Sequence, residues 1–191
     1  MNKKLTTILK EVYGYTRLTP GPVKLKNFHR IDVSKVISLM GLKKGVEVGV
    51  RGGHHSLVMC QEINDIDLTC VDIWEGGAAK WLEPARKKLA LYEARFLHMP
   101  SMQAVHGFFE DKSLDFVYID ANHEFDYVME DVIAWSRKVK IGGIISGHDY
   151  DRAHLKGVVP AIKLYTKMHK ITEWYLTDQR RETSFFWQKE K

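Results

Sequence analysis

The run Glu47-Val48-Gly49-Val50-Arg51-Gly52-Gly53-His54-His55-Ser56 joins a short apolar strand to a helix. Gly45–Val50 supplies the strand and His54–Ile63 the helix, so the glycines mark a β-to-α turn. Glycine lets the backbone approach a ligand closely, and the first helical turn offers free N–H groups. A tight strand–helix corner that simply needs glycine reads the same way. Gly49 and Gly52 are separated by two residues, so the spacing is not the GxGxxG of dinucleotide-binding folds. Glu47, two residues before the first glycine, would repel a pyrophosphate. A carboxylate there suits a ligand that carries an amine.

Strands and helices keep alternating downstream. Leu68–Ile73 reads as a strand containing an acid near its end, Asp72, and Pro84–Glu93 as a helix with proline near its first turn. Phe96–Met99 is a short strand and Met102–Phe108 a small helix. Leu114–Ile119 is a strand that runs into Asp120, and Phe125–Lys138 has helical spacing through Tyr127, Val128, Asp131, Val132 and Trp135. Gly142-Gly143 opens a further strand to about Ser146. A helix over Val158–Lys170 follows, then Ile171–Leu176 and Thr183–Gln188 as a hairpin turning around Asp178–Arg181. Upstream, Ile31–Met40 is a helix closed by Gly41, and Thr19-Pro20-Gly21-Pro22 is a turn. This alternation predicts an α/β fold, a single Rossmann-like, doubly wound, mostly parallel sheet with a C-terminal antiparallel hairpin. The 191 residues read as one domain, with 1–44 a basic N-terminal cap segment and 45–191 a cofactor-binding core. Ligands bind such sheets outside the carboxyl ends of the strands. The unusual residues of this chain fall there.

Hydrophobic residues make up 45% and charged residues 28%, enough for an ordinary core and too apolar for bulk disorder. The net charge of +5 divides into +8 over residues 1–44, −8 over 45–151 and +5 over 152–191. Nucleic-acid binders concentrate basic residues on the reading surface, so this split argues against such a partner. It places positive charge in the segments expected to frame a substrate, which suits a small, anionic acceptor. No window of about 18 apolar residues exists, so no membrane-spanning helix is expected. Leu5–Leu9 is too short for a signal peptide's apolar region. Cys60 and Cys70 lack CxxC spacing and read as reduced and buried, in keeping with a cytoplasmic location.

Two further clusters sit at strand ends. Asp72-Ile73-Trp74 puts an acid where it can accept from ribose hydroxyls, beside groups able to flank an adenine. A solvated strand-end carboxylate is the plainer reading. The other cluster is "DFVYIDANHEFDYVMEDVIAW" over residues 115–135 with "GGIISGHDY" over 142–150. Together with the Glu47–Ser56 turn and Asp72, these motifs resemble a class I S-adenosylmethionine-dependent methyltransferase. The closest likeness is to the small-molecule O-methyltransferase-like group with an IDxxH…GGxIxxHDY signature, related to catechol-type and macrolide-sugar enzymes. It spans about residues 45–160 with the motifs in order.

That resemblance implies S-adenosylmethionine as cofactor. Glu47, Gly49, Gly53 and Ser56 would hold its methionine end, Asp72 its ribose, and Ile73 and Trp74 would lie beside the adenosine. Ser101, in "HMPSMQA", falls where the family often has a serine near the adenine, and Asp120 would lie under the sulfonium. In metal-dependent members that aspartate binds a divalent cation, Mg²⁺ or Mn²⁺, together with two polar residues after the "GG" strand. His148 and Asp149 hold those places here. His148 departs from the carboxylate usual there and is a softer ligand than Mg²⁺ prefers. His123 stands where catechol-type relatives carry a base, and an imidazole of ordinary pKa near 6.5 serves that role at neutral pH. The expected reaction is O-methylation of a small polar acceptor such as a sugar or sugar derivative, with a homo-oligomer left open. The alternatives are a nucleic-acid or protein methyltransferase and a cofactor-binding, non-catalytic partner protein. No NPPY-type base-flipping motif supports the first of these.

Overall fold

A computed structural model describes residues 3–151, 157–179 and 182–190. In chain order the elements are α1 (Leu5–Glu11), β1 (Val23–Lys24), α2 (Arg30–Leu39), β2 (Lys44–Val48), α3 (His54–Glu62) and β3 (Asp67–Asp72). A 3-10 turn (Gly76–Trp81) leads into α4 (Leu82–Leu89), followed by β4 (Arg95–His98), α5 (Ser101–Phe108), β5 (Leu114–Ile119) and α6 (Phe125–Lys138). The chain continues through β6 (Val139–Gly147), α7 (Val158–Met168), β7 (Trp174–Leu176) and β8 (Phe185–Gln188).

The strands form one eight-stranded sheet in the order β1-β7-β8-β6-β5-β2-β3-β4. All neighbours run parallel except β8, which is antiparallel to both β6 and β7. The expected fold class is therefore observed, and the C-terminal strand pair wedges β8 between β6 and β7. Residues 180 and 181 of the expected hairpin turn lie outside the described residues.

Side chains alternate across the strands and so build two apolar layers. Phe116 and Tyr118 of β5 face a layer made with α1 to α4, and Val117 and Ile119 face one made with α5 to α7. Both faces of the sheet are covered, as a parallel sheet requires. Cys60 and Cys70 are free thiols buried in the first layer, and burial pushes Cys60 up to about 12.

Residues 1–30 hold structure that periodicity did not mark. Leu5, Ile8 and Leu9 stand at helical spacing and are buried, but over too short a run to register as a helix. The two residues of β1 become a strand only because they pair with β7. Gly142-Gly143 also differs from expectation. It lies inside β6, which starts at Val139, and coincides with a register irregularity against β5.

β2 and β5 converge at the turn that opened the sequence reading. Gly49 has φ +87°, and a Cβ there would lie 2.0 Å from the Asp120 carbonyl oxygen. Glycine is thus needed to bring the ends of β2 and β5 together, independently of any ligand.

Candidate active site

The carboxyl ends of β2, β3, β5 and β6 open into a cavity of about 740 Å³, within the range that holds small-molecule ligands. Glu47 projects into it from β2 while remaining 2% exposed. Burial pushes its carboxyl up to about 8, against the opposing pull of a hydrogen bond from the Ser56 hydroxyl. Ser56 does not line the cavity, so its part is to hold Glu47 in place. Gly49 does line it, whereas Gly53 packs against Ala85 at the start of α3.

Asp72 at the end of β3 lines the cavity and organises the neighbouring loop. Its Oδ2 accepts from the N–H groups of Val50 (2.8 Å) and Arg51 (2.7 Å), and its Oδ1 from that of Trp74 (3.1 Å). Ile73 is on the wall and 43% exposed. Trp74 is not on the wall. It is buried behind the loop, donates its indole N–H to the Arg51 carbonyl at 2.9 Å, and packs against Phe96 and His98. Of the two residues expected beside an adenosine, Ile73 lines the cavity and Trp74 supports the loop. Trp74→Phe is accordingly expected to cost about 1 kcal/mol of stability in denaturant unfolding, through the lost hydrogen bond. Ligand affinity in calorimetry should change by less than threefold; a loss above tenfold would restore the stacking role.

At another part of the wall, Ser101 at the start of α5 donates to Asp131 Oδ1 and accepts from the Trp135 indole N–H at 2.8 Å. Asp131 lines the cavity, is 4% exposed, and burial pushes its carboxyl up to about 6. Sequence reading placed it only on the helical face shared with Val128, Val132 and Trp135. A lone acid on that otherwise apolar face was the available signal.

The remaining polar groups gather where β5 and β6 end. His123 Nε2 lies 2.8 Å from Asp149 Oδ2 and 3.6 Å from Asp120 Oδ1. His148 Nδ1 lies 3.0 Å from Asp149 Oδ1 and 3.7 Å from Asp120 Oδ2. Hydrogen bonds to Asp120 and Asp149 push His123 up to about 9, and Asp149 sits well below the usual carboxylate range despite its burial. An imidazole of ordinary pKa was expected at His123; the two carboxylates beside it instead raise it.

These positions hold the sequence motifs in one place, and they fall within a known family model. A family model described as a methyltransferase domain matches residues 46–150, from β2 through the His148-Asp149-Tyr150 turn. The chain belongs to the methyltransferase-domain family. No curated protein matches the methyltransferase. Among solved structures, the O-methyltransferase NovP is similar at 18% identity over 85% of this chain and 80% of that one, with a TM-score of 0.64. An O-methyltransferase from Bacillus cereus in complex with SAH is similar at 11% identity over 83% and 80%, with a TM-score of 0.64. TomG from Streptomyces achromogenes, an O-methyltransferase in complex with SAM, is similar at 14% identity over 99% and 92%, with a TM-score of 0.59. At these identities the likeness is one of fold.

Whether the methyltransferase's polar cluster suits a divalent cation follows from its donors. One ligand atom each of Asp120, His123 and Asp149 lie within 4.8 Å of one another, so two carboxylates and an imidazole fit such an ion. The expected set contained His148 in place of His123. His148 adjoins both acids and lines the cavity, with its ring tilted 37° to that of Tyr118 at 6.5 Å between centroids.

The charge on the wall overturns one expectation. Among the described residues Glu47, Asp72, Asp120, Glu130, Asp131, Asp149 and Glu182 line the cavity, against Arg30 and Arg51. Of the basic residues in 1–44, only Arg30 reaches it. The positive N-terminal charge therefore lies on the outside of the fold rather than framing the ligand. No helix among the described residues is long and apolar enough to cross a membrane.

Proposed function

We propose that the protein transfers a methyl group from S-adenosylmethionine to a hydroxyl of a small, polyhydroxylated acceptor such as a sugar derivative. Glu47 carries this reading. A buried carboxyl whose one side-chain hydrogen bond among the described residues is from Ser56 gains most from a ligand ammonium, which restores its charge and pairs it. S-adenosylmethionine carries such an ammonium. Asp72 keeps an acceptor site on Oδ1 for a ribose hydroxyl, three others being taken by backbone N–H groups, Ile73 flanks the nucleoside, and Ser101 with Asp131 forms a polar edge at the adenine end.

The acceptor end supports a polyol over a planar aromatic. Asp120, Asn122, His123, His148 and Asp149 surround it, and Tyr127 is the one aromatic ring among the described lining residues. The acidic wall favours a neutral or amine-bearing acceptor over a phosphorylated one. Asp120, His123 and Asp149 would hold a divalent cation, which supplies charge stabilisation for an acceptor oxygen when bound. In the transfer the acceptor oxygen forms its bond to the methyl carbon as the carbon–sulfur bond breaks. The cofactor leaves as a neutral thioether, and the Asp120 carboxylate on the cavity wall would take the hydroxyl proton. Rate comes mainly from holding oxygen, carbon and sulfur in line.

Methyl transfer measured over a panel of sugars, aminosugars and catechols, with and without EDTA, tests this. Product with a polyol and a loss above tenfold in EDTA are expected. Turnover of catechols alone would overturn the acceptor class, and full activity in EDTA would overturn the cation.

A further inference from the structure

Where α2 and α3 begin, two side chains reach the cavity that neither the motifs nor the reaction as described above uses. Arg30, the first residue of α2, lines the cavity with its guanidinium 5.9 Å from the centre of the Tyr118 ring. It shares a side-chain hydrogen bond with Tyr118 and approaches Asp120 Oδ2 only to 3.6 Å, which leaves several of its five N–H donors for a ligand. Its backbone N–H is fixed by the Gln179 side chain at 2.7 Å, which holds the start of α2 over the site. His55, on the first turn of α3, packs against the same ring, with centroids 4.1 Å apart. It is 5% exposed, lines the cavity, and its Nδ1 has no hydrogen-bond partner among the described residues. Burial, with Arg30 and His148 nearby, holds this imidazole neutral.

Both groups sit beside Glu47. Arg30 is the cation whose field acts on the Glu47 carboxyl, and Arg51, the other arginine on the wall, lies over the Trp81 ring at 5.2 Å. An α-amino acid has its carboxylate one carbon from its ammonium. A ligand whose ammonium pairs with Glu47 must therefore place its carboxylate within a few ångströms of that acid, where it needs a cation and a donor. We infer that Arg30 and His55 form the carboxylate-binding half of the site for the cofactor's amino-acid group, with Glu47 as the ammonium half. This rests on the cofactor reading given above. It makes Arg30 a binding residue contributed by the N-terminal segment, and it explains why that segment places its one cavity-lining cation here.

The test uses two ligands that differ only in the carboxylate. S-adenosylhomocysteine has it, and S-adenosyl-3-thiopropylamine keeps the ammonium and lacks it. Calorimetry on the full chain is expected to show the first binding about 10- to 100-fold tighter, the worth of hydrogen bonds to a charged group. Arg30→Ala should bring that ratio to within about threefold, the carboxylate-bearing ligand losing far more affinity than the amine, with folding checked by circular dichroism. Arg30→Lys should restore part of the ratio, because charge is kept and the fork geometry lost. His55→Ala should reduce the ratio without abolishing it. Equal weakening of both ligands by Arg30→Ala overturns the inference. So does an unchanged ratio accompanied by a higher KM for the methyl acceptor, which assigns Arg30 to the acceptor instead. A folded wild-type protein that binds neither ligand overturns the cofactor reading itself.

Discussion

Asp120→Asn is expected to lower the rate of methyl transfer by about 10²–10⁴-fold at saturating cofactor and acceptor, the range seen when a positioned acid–base group is lost. Three groups converge on this carboxylate: Arg30 and His123 at 3.6 Å and His148 at 3.7 Å. Asparagine keeps the shape but not the charge, so the cluster loses one of two acids that face His123 and any bound cation. S-adenosylhomocysteine affinity should hold or rise slightly, because the charge on Asp120 opposes ionisation of Glu47. That split separates chemistry from binding. Single-turnover assays and calorimetry on the same preparation measure both, and a rate loss below tenfold would remove Asp120 from the reaction.

The affinity for S-adenosylhomocysteine is expected to fall as pH drops below about 8. Burial raises the Glu47 carboxyl to about 8, so below that pH the free protein carries it protonated. Pairing with an ammonium requires the carboxylate, and binding must then release a proton. Each unit below 8 weakens binding by up to about tenfold, or about 100-fold between pH 8 and pH 6. Above pH 8 the carboxylate is already formed and this dependence disappears. Glu47→Gln should bind about 10- to 100-fold more weakly at pH 8 and show a flat profile, meeting the wild type near pH 6. A wild-type profile that stays level from pH 6 to pH 8.5, or a glutamine variant that keeps the slope, would assign the proton elsewhere.

Most of the sheet was legible because its signals are local. Leu114–Ile119 and Phe125–Lys138 match their elements residue for residue, since apolar runs and helical spacing report burial directly. The glycine turn and the acids at or just after strand ends were legible for the same reason. Which of those residues face the ligand was less so. Ser56 stands one helical position beyond His55, yet it turns inward to Glu47 while His55 lines the cavity. Trp74 follows Ile73 directly, and with φ at +36° its backbone turns the indole under the loop. Neither rotation has a pattern of its own in sequence.

Sequence by itself determined the strand–helix alternation, the doubly wound sheet, and the gathering of Glu47, Asp72, Asp120, His123, His148 and Asp149 at strand ends. These follow from periodicity, glycine placement and the rule that ligands meet parallel sheets at their carboxyl edge. Only the tertiary structure decided that Arg30 meets Asp120 across ninety positions, that Asp131 reaches the wall, and that β1 is a strand at all. It also decided that His123 and Glu47 are both raised above their ordinary pKa, since such shifts depend on burial and on partners brought from elsewhere in the chain. A periodic pattern says which face of an element is buried. What stands opposite that face is settled only when the layers close.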